Sequence, residues 1–390
     1  MIIRENYLSL IRPFIGKDLI KVLTGLRRSG KSVLLEQIRA EINSPNTVYL
    51  NFEDLSNQHL CDHIALHDYI SEIICDRKEQ FYLFFDEIQD VEGWEKAVNS
   101  LRVKFGADVY ITGSNSSLLS GELATYIAGR YVSFVVYPFS YSEFKAASAH
   151  LTFDDYMKYG GMPFLTSIGF EPEMSKNYLQ DVFNSVVLKD IVKRNKIRDV
   201  DLLERIISYA LANIGKSFSA TSISNYFKTE KRIVAPETIL NYLKACEEAF
   251  LLYRLKSIDI NGKKILRVNE KYYVADHGLR EAVVGENLKN AEIVLENIIG
   301  LELLRRGYKV SVGRVGDTEI DFVGEKSGEK IYLQVCYLLD SEKTVEREFR
   351  SLLDVRDNYP KFVIYKSGSF SGNMEGIPAV SAEDWLLGKV

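Results

Sequence analysis

The residues Gly25-Leu26-Arg27-Arg28-Ser29-Gly30-Lys31-Ser32 follow the spacing G-x-x-x-x-G-K-[ST], which lets a backbone curl round phosphate oxygens. Glycine at both ends allows consecutive N–H groups to converge on an anion. Lys31 then reaches the outer phosphates of a nucleoside triphosphate, and the Ser32 hydroxyl can ligate Mg²⁺. The flanks suit the motif: Asp18–Thr24 reads as a buried strand and Val33–Arg39 as an amphipathic helix. The phosphates would then sit at a helix N-terminus. Leu26, Ser29 and Val33 complete the expected nucleotide contacts. Arg27 and Arg28 either touch phosphate or flank it. A chance match occurs in about one chain per hundred of this length, before the flanks are counted.

A second pair of groups follows. The apolar run Phe81–Phe85 ends in Asp86-Glu87. Asp86 at that point could hold Mg²⁺, directly or through water, and Glu87 could polarise an attacking water as general base. The same pair could simply open a turn before Gly93-Trp94, but downstream of a phosphate loop that reading is the weaker. Thr47–Phe52, Asp108–Thr112 and Tyr131–Val136 read as further apolar strands with helices between them. Such a pattern predicts an α/β domain with a parallel sheet covered on both faces.

The ordered set Gly25–Ser32 (Walker A), Asp86-Glu87 (Walker B), Ile111-Thr112-Gly113-Ser114-Asn115 and Gly129-Arg130 resembles a prokaryotic AAA+ P-loop ATPase. Gly160-Gly161-Met162-Pro163, Lys189-Asp190-Ile191 and Tyr272–Leu279 extend the resemblance over essentially the whole chain. The family they resemble joins such an ATPase to a C-terminal domain of unknown function with a restriction-endonuclease-like fold. The resemblance implies ATP and Mg²⁺ as ligands and ATP hydrolysis as the activity. It implies Ser114 as the sensor that orients water beside the γ-phosphate, with Asn115 as the alternative. It also implies Arg130 as an arginine finger on its own or a neighbouring subunit's nucleotide, a role worth roughly 10³–10⁵ in rate. A plain surface charge before an edge strand is an equal reading of Arg130.

The elements that must position these groups divide the chain into four expected parts: an ATPase core over 1–140, a helical lid over 141–205, a winged helix over 206–285 and a small α/β domain over 286–390. In the lid, Phe153–Tyr159 and Tyr178–Lys193 read as helices, and Arg194 and Arg198 are candidates for a second sensing arginine. The 390 residues are 46% hydrophobic and 26% charged, with net charge −5. No global basic field therefore advertises nucleic acid. Residues 216–271, however, carry eleven Lys/Arg against six Asp/Glu, a local net of +5. Ser219 is a plausible N-cap, Pro236 suits a helical first turn, and Asn261-Gly262 suits a hairpin joining Leu251–Ile258 to Lys264–Ala275. In a winged helix, Thr238, Asn241 and Lys244 would face the bases or phosphates of double-stranded DNA. Protein partners are the alternative for the same face.

In the last part, Glu296 and Asp321 fit the first positions of a nuclease pattern Glu…Asp…(Asp/Glu)-x-Lys. Gln334 stands where its third carboxylate belongs, and Cys336 where its lysine belongs. Losing an anionic ligand weakens a hard-cation site, and losing the lysine removes charge stabilisation at a scissile phosphate. The expectation is a nuclease-shaped domain without nuclease activity. His59, His63 and His67 lie on one helical stripe, which reads better as an exposed helix face than as a metal site. Four cysteines without paired spacing, no leader-like segment and no apolar run long enough for a bilayer point to the cytoplasm. The expected protein hydrolyses ATP and couples nucleotide state to its winged-helix and nuclease-like parts. The alternatives are a slow ATP-dependent switch or interaction module and, behind it, an ATP-gated Mg²⁺ nuclease. An arginine finger acting between subunits would require a homo-oligomer.

Overall fold

The computed structural model describes residues 2–75, 79–119, 129–260, 262, 264–265, 270–285, 290–370 and 372–390. They form two compact units. One comprises residues 1–138 with 248–250, the other 139–247 with 251–390.

The first unit begins with helix α1 (Glu5–Ile11), then strand β1 (Ile20–Thr24), helix α2 (Lys31–Ile42) and strand β2 (Thr47–Asn51). Helix α3 (His63–Ile74), strand β3 (Tyr82–Asp86), helix α4 (Trp94–Phe105) and strands β4 (Asp108–Gly113) and β5 (Tyr131–Val135) follow. The sheet order is β2-β3-β4-β1-β5, and every pairing is parallel. The strands start or stop within two residues of the expected limits. Their side chains alternate between two apolar layers, as period-2 strands buried on both faces must. Ile20, Val22, Leu83, Phe85, Val109 and Ile111 share one layer with Leu66 and Ile70 of α3 and with Trp94, Val98 and Leu101 of α4. Leu23, Phe84 and Tyr110 face the other way, onto Leu34, Leu35 and Ile38 of α2 and Tyr7, Leu8 and Ile11 of α1. Parallel register brings the C-terminal ends of β1, β3 and β4 to one edge, where the phosphate loop, Asp86 and Thr112 meet.

The second unit opens with α5 (Tyr141–Ala147) and α6 (Phe153–Tyr159), started by capping boxes of Ser140 with Glu143 and Thr152 with Asp155. Helix α7 (Pro172–Ser185) continues as a π-helix over Val186–Lys193. It starts at Pro172 rather than Tyr178, because proline suits a helix's first turn and the polar face there disguised the periodicity. Helices α8 (Val200–Ala212), α9 (Ala220–Thr229) and α10 (Pro236–Glu248) accompany a three-stranded antiparallel sheet. Its order is β6 (Ser217–Phe218), β10 (Glu270–Val274), β7 (Leu252–Leu255).

The expected single hairpin over 251–275 is split. β7 pairs with β10, but the next strands, β8 (Ser257–Asp259) and β9 (Lys264–Ile265), leave that sheet for another. Asn261 lies outside the described residues. The receiving sheet has eight strands. In it β11 (Lys309–Val315), β12 (Thr318–Lys326) and β13 (Glu329–Leu338) run antiparallel, and β14 (Lys361–Ser367) lies parallel to β13. β15 (Asn373–Met374) and β16 (Ile377–Ser381) complete one edge. Between β10 and β11 lie α11 (His277–Val284) and α12 (Ala291–Arg305); α13 (Glu342–Leu353) follows β13 and α14 (Ala382–Leu386) ends the chain.

Two separated motif stretches close on one another in this unit. Asp276 caps α11, its carboxylate accepting from the N–H groups of Leu279 at 3.2 Å and Gly161 at 2.7 Å. Gly160 has φ +78°, and a Cβ there would fall 2.3 Å from Asp276 Oδ1. His277 is buried, with Nε2 2.6 Å from the Tyr156 carbonyl. Burial holds the His277 pKa below 6.5, so the unfolded chain takes up a proton that the folded chain refuses. Stability from this group therefore falls as pH drops through about 6.5. Asp276, pushed up by burial, has the opposite sign. Urea unfolding midpoints at pH 7.5 and 5.5 should show a smaller acid-side loss for His277→Gln than for wild type.

Candidate nucleotide site

The loop after β1 curls because Gly25 has φ +143° and touches the backbone: a Cβ there would fall 2.2 Å from the Val136 carbonyl oxygen. Gly30, also left-handed at φ +95°, ends the loop, and Lys31 begins α2. Arg4 braces the loop from outside. Its guanidinium is buried and donates to the carbonyls of Ser29 at 3.0 Å and Tyr137 at 2.9 Å. Leu26 and Ser29 are buried, Arg28 and Val33 are exposed, and Arg27 donates to Glu53 at 3.0 Å.

Lys31 is 4% exposed, and its ammonium donates to the carbonyls of Gly25 and Leu26, each at 3.1 Å. It lies 3.8 Å from Glu87 Oε1. Asp86 is fully buried at the end of β3, and burial pushes its carboxyl up. The hydroxyls of Thr112, Ser32 and Tyr49 donate to it and pull the other way. Glu87 takes the left-handed conformation, φ 52°, which costs a non-glycine residue about 1–2 kcal/mol. Its N–H donates to Thr112 Oγ1 at 2.9 Å, which holds that conformation. Oxygen donors of Ser32 and Asp86 in contact form the hard ligand set that Mg²⁺ takes.

Gly25–Ser32, Asp86 and Glu87 thus meet at one edge of the sheet. Ser114 and Asn115 follow β4 at the same edge, both buried. Arg130 does not join them. It is exposed, precedes β5, and donates to Asn99 at 3.3 Å, while its carbonyl accepts from Ile20 at the start of β1. That is the sheet end opposite the loop, because β1 and β5 run parallel. Its own nucleotide loop is out of its reach. Sequence reasoning gave no role to Thr112, Tyr49, Arg4 or Gln89. For Thr112 the signal lies in strand register: Phe85 pairs with Ile111, which sets Thr112 beside Asp86.

The nuclease-like positions also assemble, around an unexpected lysine. Lys271, from β10, is 3% exposed, and its ammonium lies 3.0 Å from Glu296, 2.8 Å from Glu319 and 3.8 Å from Asp321. The Tyr273 hydroxyl donates to Glu296 at 2.6 Å. Gln334 accepts from the Asp321 N–H at 3.4 Å and donates to Glu348 at 3.0 Å. A cavity of about 400 Å³ opens on Glu296, Glu319, Asp321, Gln334 and Glu348. Burial drives Asp321 well above the usual carboxylate range, aided by Glu296 and opposed by Lys271. Burial alone would lower Lys271, and the three carboxylates reverse that and raise it. Burial pushes the Cys336 thiol up to about 12, so it supplies no charge here. Among the described residues no group of three or more His, Cys, Asp or Glu is arranged to hold a metal, and the expected histidine stripe is broken, since His59 lies in a 3₁₀ turn over Leu55–Leu60 and α3 starts only at His63. On α10, Asn241 and Lys244 are exposed and Thr238 half-buried, all on the solvent side of the helix.

Residues 17–145 match the AAA domain family, and residues 150–290 match a domain of unknown function, DUF8612. An uncharacterized protein of Haemophilus influenzae is 41% identical over 99% of both chains. The chain belongs to its family. An uncharacterized protein of Methanocaldococcus jannaschii is 32% identical over 85% of this chain and 77% of its own. A solved structure of AMPPCP-bound DnaA from Aquifex aeolicus covers 64% of this chain and 90% of that one, at 12% identity and TM-score 0.34. Residues 17–145 of this chain are an AAA domain by their family match, built on an α/β parallel sheet. Among the described residues no helix is long and apolar enough to cross a membrane.

Lys271 offsets the repulsion among its three partly buried carboxylates, so taking its charge away leaves Glu296 and Asp321 facing one another without their shared cation. Lys271→Met should lower unfolding free energy by about 3–5 kcal/mol in chemical denaturation. Adding Asp321→Asn should restore part of that loss, because the two sites share one charge network.

Proposed function

We propose that this AAA-domain protein binds and hydrolyses ATP with Mg²⁺ and couples its nucleotide state to a winged-helix and nuclease-like module that contacts DNA or another macromolecule. The observation that carries the reading is the approach of Lys31 Nζ to within 3.8 Å of Glu87 Oε1, beside Ser32 hydrogen-bonded to Asp86. Phosphate grip, metal ligands and general base share one pocket. Ser32 and Asp86 would hold Mg²⁺, which when bound neutralises charge building on the phosphates. The backbone N–H groups of Gly25–Ser32 bind the phosphates, and Lys31 exchanges its two carbonyl partners for phosphate oxygens. Glu87 takes a proton from water, whose oxygen bonds to the γ-phosphorus as the bond to the bridging oxygen breaks and ADP leaves. Ser114, or Asn115, orients that water. Arg130, exposed at the far sheet end, would serve a neighbouring copy's nucleotide in a homo-oligomer.

Helices α8–α10 with the β6-β10-β7 sheet suit a winged helix, and the exposed Asn241 and Lys244 with Thr238 are its DNA-contact residues. Glu296, Asp321 and Gln334 suit a nuclease-like centre that has lost its chemistry: Gln334 lacks the negative charge of a carboxylate, and Lys271 already offsets the charge of the pocket. A slow ATP-dependent switch is the second reading, favoured by the hold of the Gly25 and Leu26 carbonyls on Lys31. The composition favours a cytoplasmic protein.

Steady-state ATP turnover with and without duplex DNA separates these readings. Wild type should turn over, and DNA should accelerate it. Lys31→Ala should bind no ATP. Glu87→Gln should bind ATP yet lose about 10²–10⁴ in kcat, the usual worth of a general base. Bound ATP with negligible turnover, indifferent to DNA, would leave the switch. A plasmid nicked by wild type with Mg²⁺ but not by Asp321→Asn would restore the nuclease.

A further inference from the structure

Glu87 has two carboxylate oxygens, and the structure treats them differently. Oε1 lies 3.8 Å from the Lys31 ammonium, facing the phosphate loop. Oε2 accepts a hydrogen bond of 2.5 Å from Gln89 Nε2. Gln89 lies in the short 3₁₀ turn Ile88–Asp90 that Glu87 itself opens. The amide orientation is chemically forced: turned over, its carbonyl oxygen would face a carboxylate oxygen, two acceptors in contact.

Two further observations say that the amide is there for Glu87. Among the described residues, Gln89 Oε1 is buried with no hydrogen-bond partner. A buried unsatisfied acceptor costs folding, so fold stability alone does not explain the residue. The space it takes is kept open by the neighbouring strand. At Gly113, the last residue of β4, a Cβ would fall 2.7 Å from Gln89 Oε1 and 2.9 Å from Leu118 Cδ2. Any larger residue at the end of β4 would press the amide off Glu87.

We propose that Gln89 is a positioning residue for hydrolysis, its amide fixing the Glu87 carboxylate so that Oε1 is the oxygen that takes the proton from the attacking water. This inference rests on the ATP-hydrolysis reading above. A donor on Oε2 leaves the lone pairs of Oε1 as the ones directed at the loop, and it stops the carboxylate from rotating on its left-handed backbone. In the step, the water proton goes to Glu87 Oε1, the water oxygen bonds to the γ-phosphorus, and the bond from that phosphorus to the bridging oxygen of ADP breaks. Gln89 neither gains nor loses a proton.

The test compares kcat and the ATP dissociation constant for wild type, Glu87→Gln, Gln89→Leu, Gln89→Glu and Gly113→Ala. Gln89→Leu should lower kcat by roughly 10- to 100-fold, the scale of a misplaced catalytic group, with ATP affinity within about twofold of wild type. Gln89→Glu has the same shape but sets a second carboxylate against the first, and it should lower kcat at least as far. It also keeps the test decisive if the leucine variant folds poorly. Gly113→Ala touches neither residue's chemistry, yet it should lower kcat in the same direction by displacing the amide. Wild-type kcat in both Gln89 variants beside an inactive Glu87→Gln would overturn this role and leave the ATPase intact. Parallel losses of kcat and ATP affinity would mark a merely structural residue and overturn it too. A wild-type protein that binds ATP without turnover would overturn the ATPase reading and this role with it.

Discussion

A single hydroxyl holds the nucleotide site together. Thr112 Oγ1 donates to Asp86 Oδ1 and accepts from the N–H of Glu87. It thereby orients the Asp86 carboxylate and fixes the backbone of Glu87. Its position follows from the parallel register of β3 and β4, and that register is pinned from the other end. Asp108, the first residue of β4, pairs with the fully buried Lys21 of β1 and accepts from Tyr110 at 2.9 Å and the Gly16 N–H at 2.8 Å. A central strand with satisfied polar groups at both ends cannot slip by one residue without stranding a buried charge. The left-handed Glu87 depends on that fixed register, because its strain is offset only while Thr112 stands opposite.

The two acidic pockets solve the same electrostatic problem in opposite ways. A buried carboxylate must lose its charge or find a partner. Asp86 is met by neutral hydroxyls from Thr112, Tyr49 and Ser32. Hydroxyls orient a carboxylate without cancelling its charge, which leaves it able to attract a divalent cation. Glu296, Glu319 and Asp321 are met by an ammonium from the chain itself. A lysine already among three carboxylates leaves little for Mg²⁺ to gain and would have to be expelled first. It also ties β10 of the small sheet to α12 and β12, so it serves the packing of the second unit as much as its charge balance.

Much of the nucleotide unit was legible in the sequence because its signals are local. A phosphate loop needs glycines at set positions, and a strand buried on both faces reads as a continuous apolar run. What sequence hid was whatever depends on chain pairing. Gln334 and Cys336 stood where a carboxylate and a lysine were sought, but Lys271 arrives from another strand and no spacing announces it. The hairpin over 251–275 looked continuous, because nothing in its composition marks where one sheet hands the chain to another. Arg130 lay in the right order along the chain, yet parallel pairing of β1 with β5 sets it at the sheet end away from the loop. Gln89 is a middle case. It sits two residues beyond Glu87, but only the glycine at the end of β4 shows why an amide fits there.

Burial also separates motifs that carry chemistry from motifs that carry shape. Gly160-Gly161 and Asp276-His277-Gly278 lie in stretches that carry the family resemblance. In the structure they are one joint: Asp276 caps α11 and binds the Gly161 N–H, while a Cβ at Gly278 would fall 2.1 Å from the Tyr159 carbonyl oxygen. Each polar group there is spent on backbone, and His277 is committed to the Tyr156 carbonyl. Groups so occupied hold the fold together. At the phosphate loop the reverse holds, since Lys31 rests on two backbone carbonyls that an incoming phosphate can outbid, a phosphate oxygen being a charged acceptor and a carbonyl a neutral one. The exchangeable partners of Lys31 set this loop apart from the joint at Asp276 as a place for chemistry.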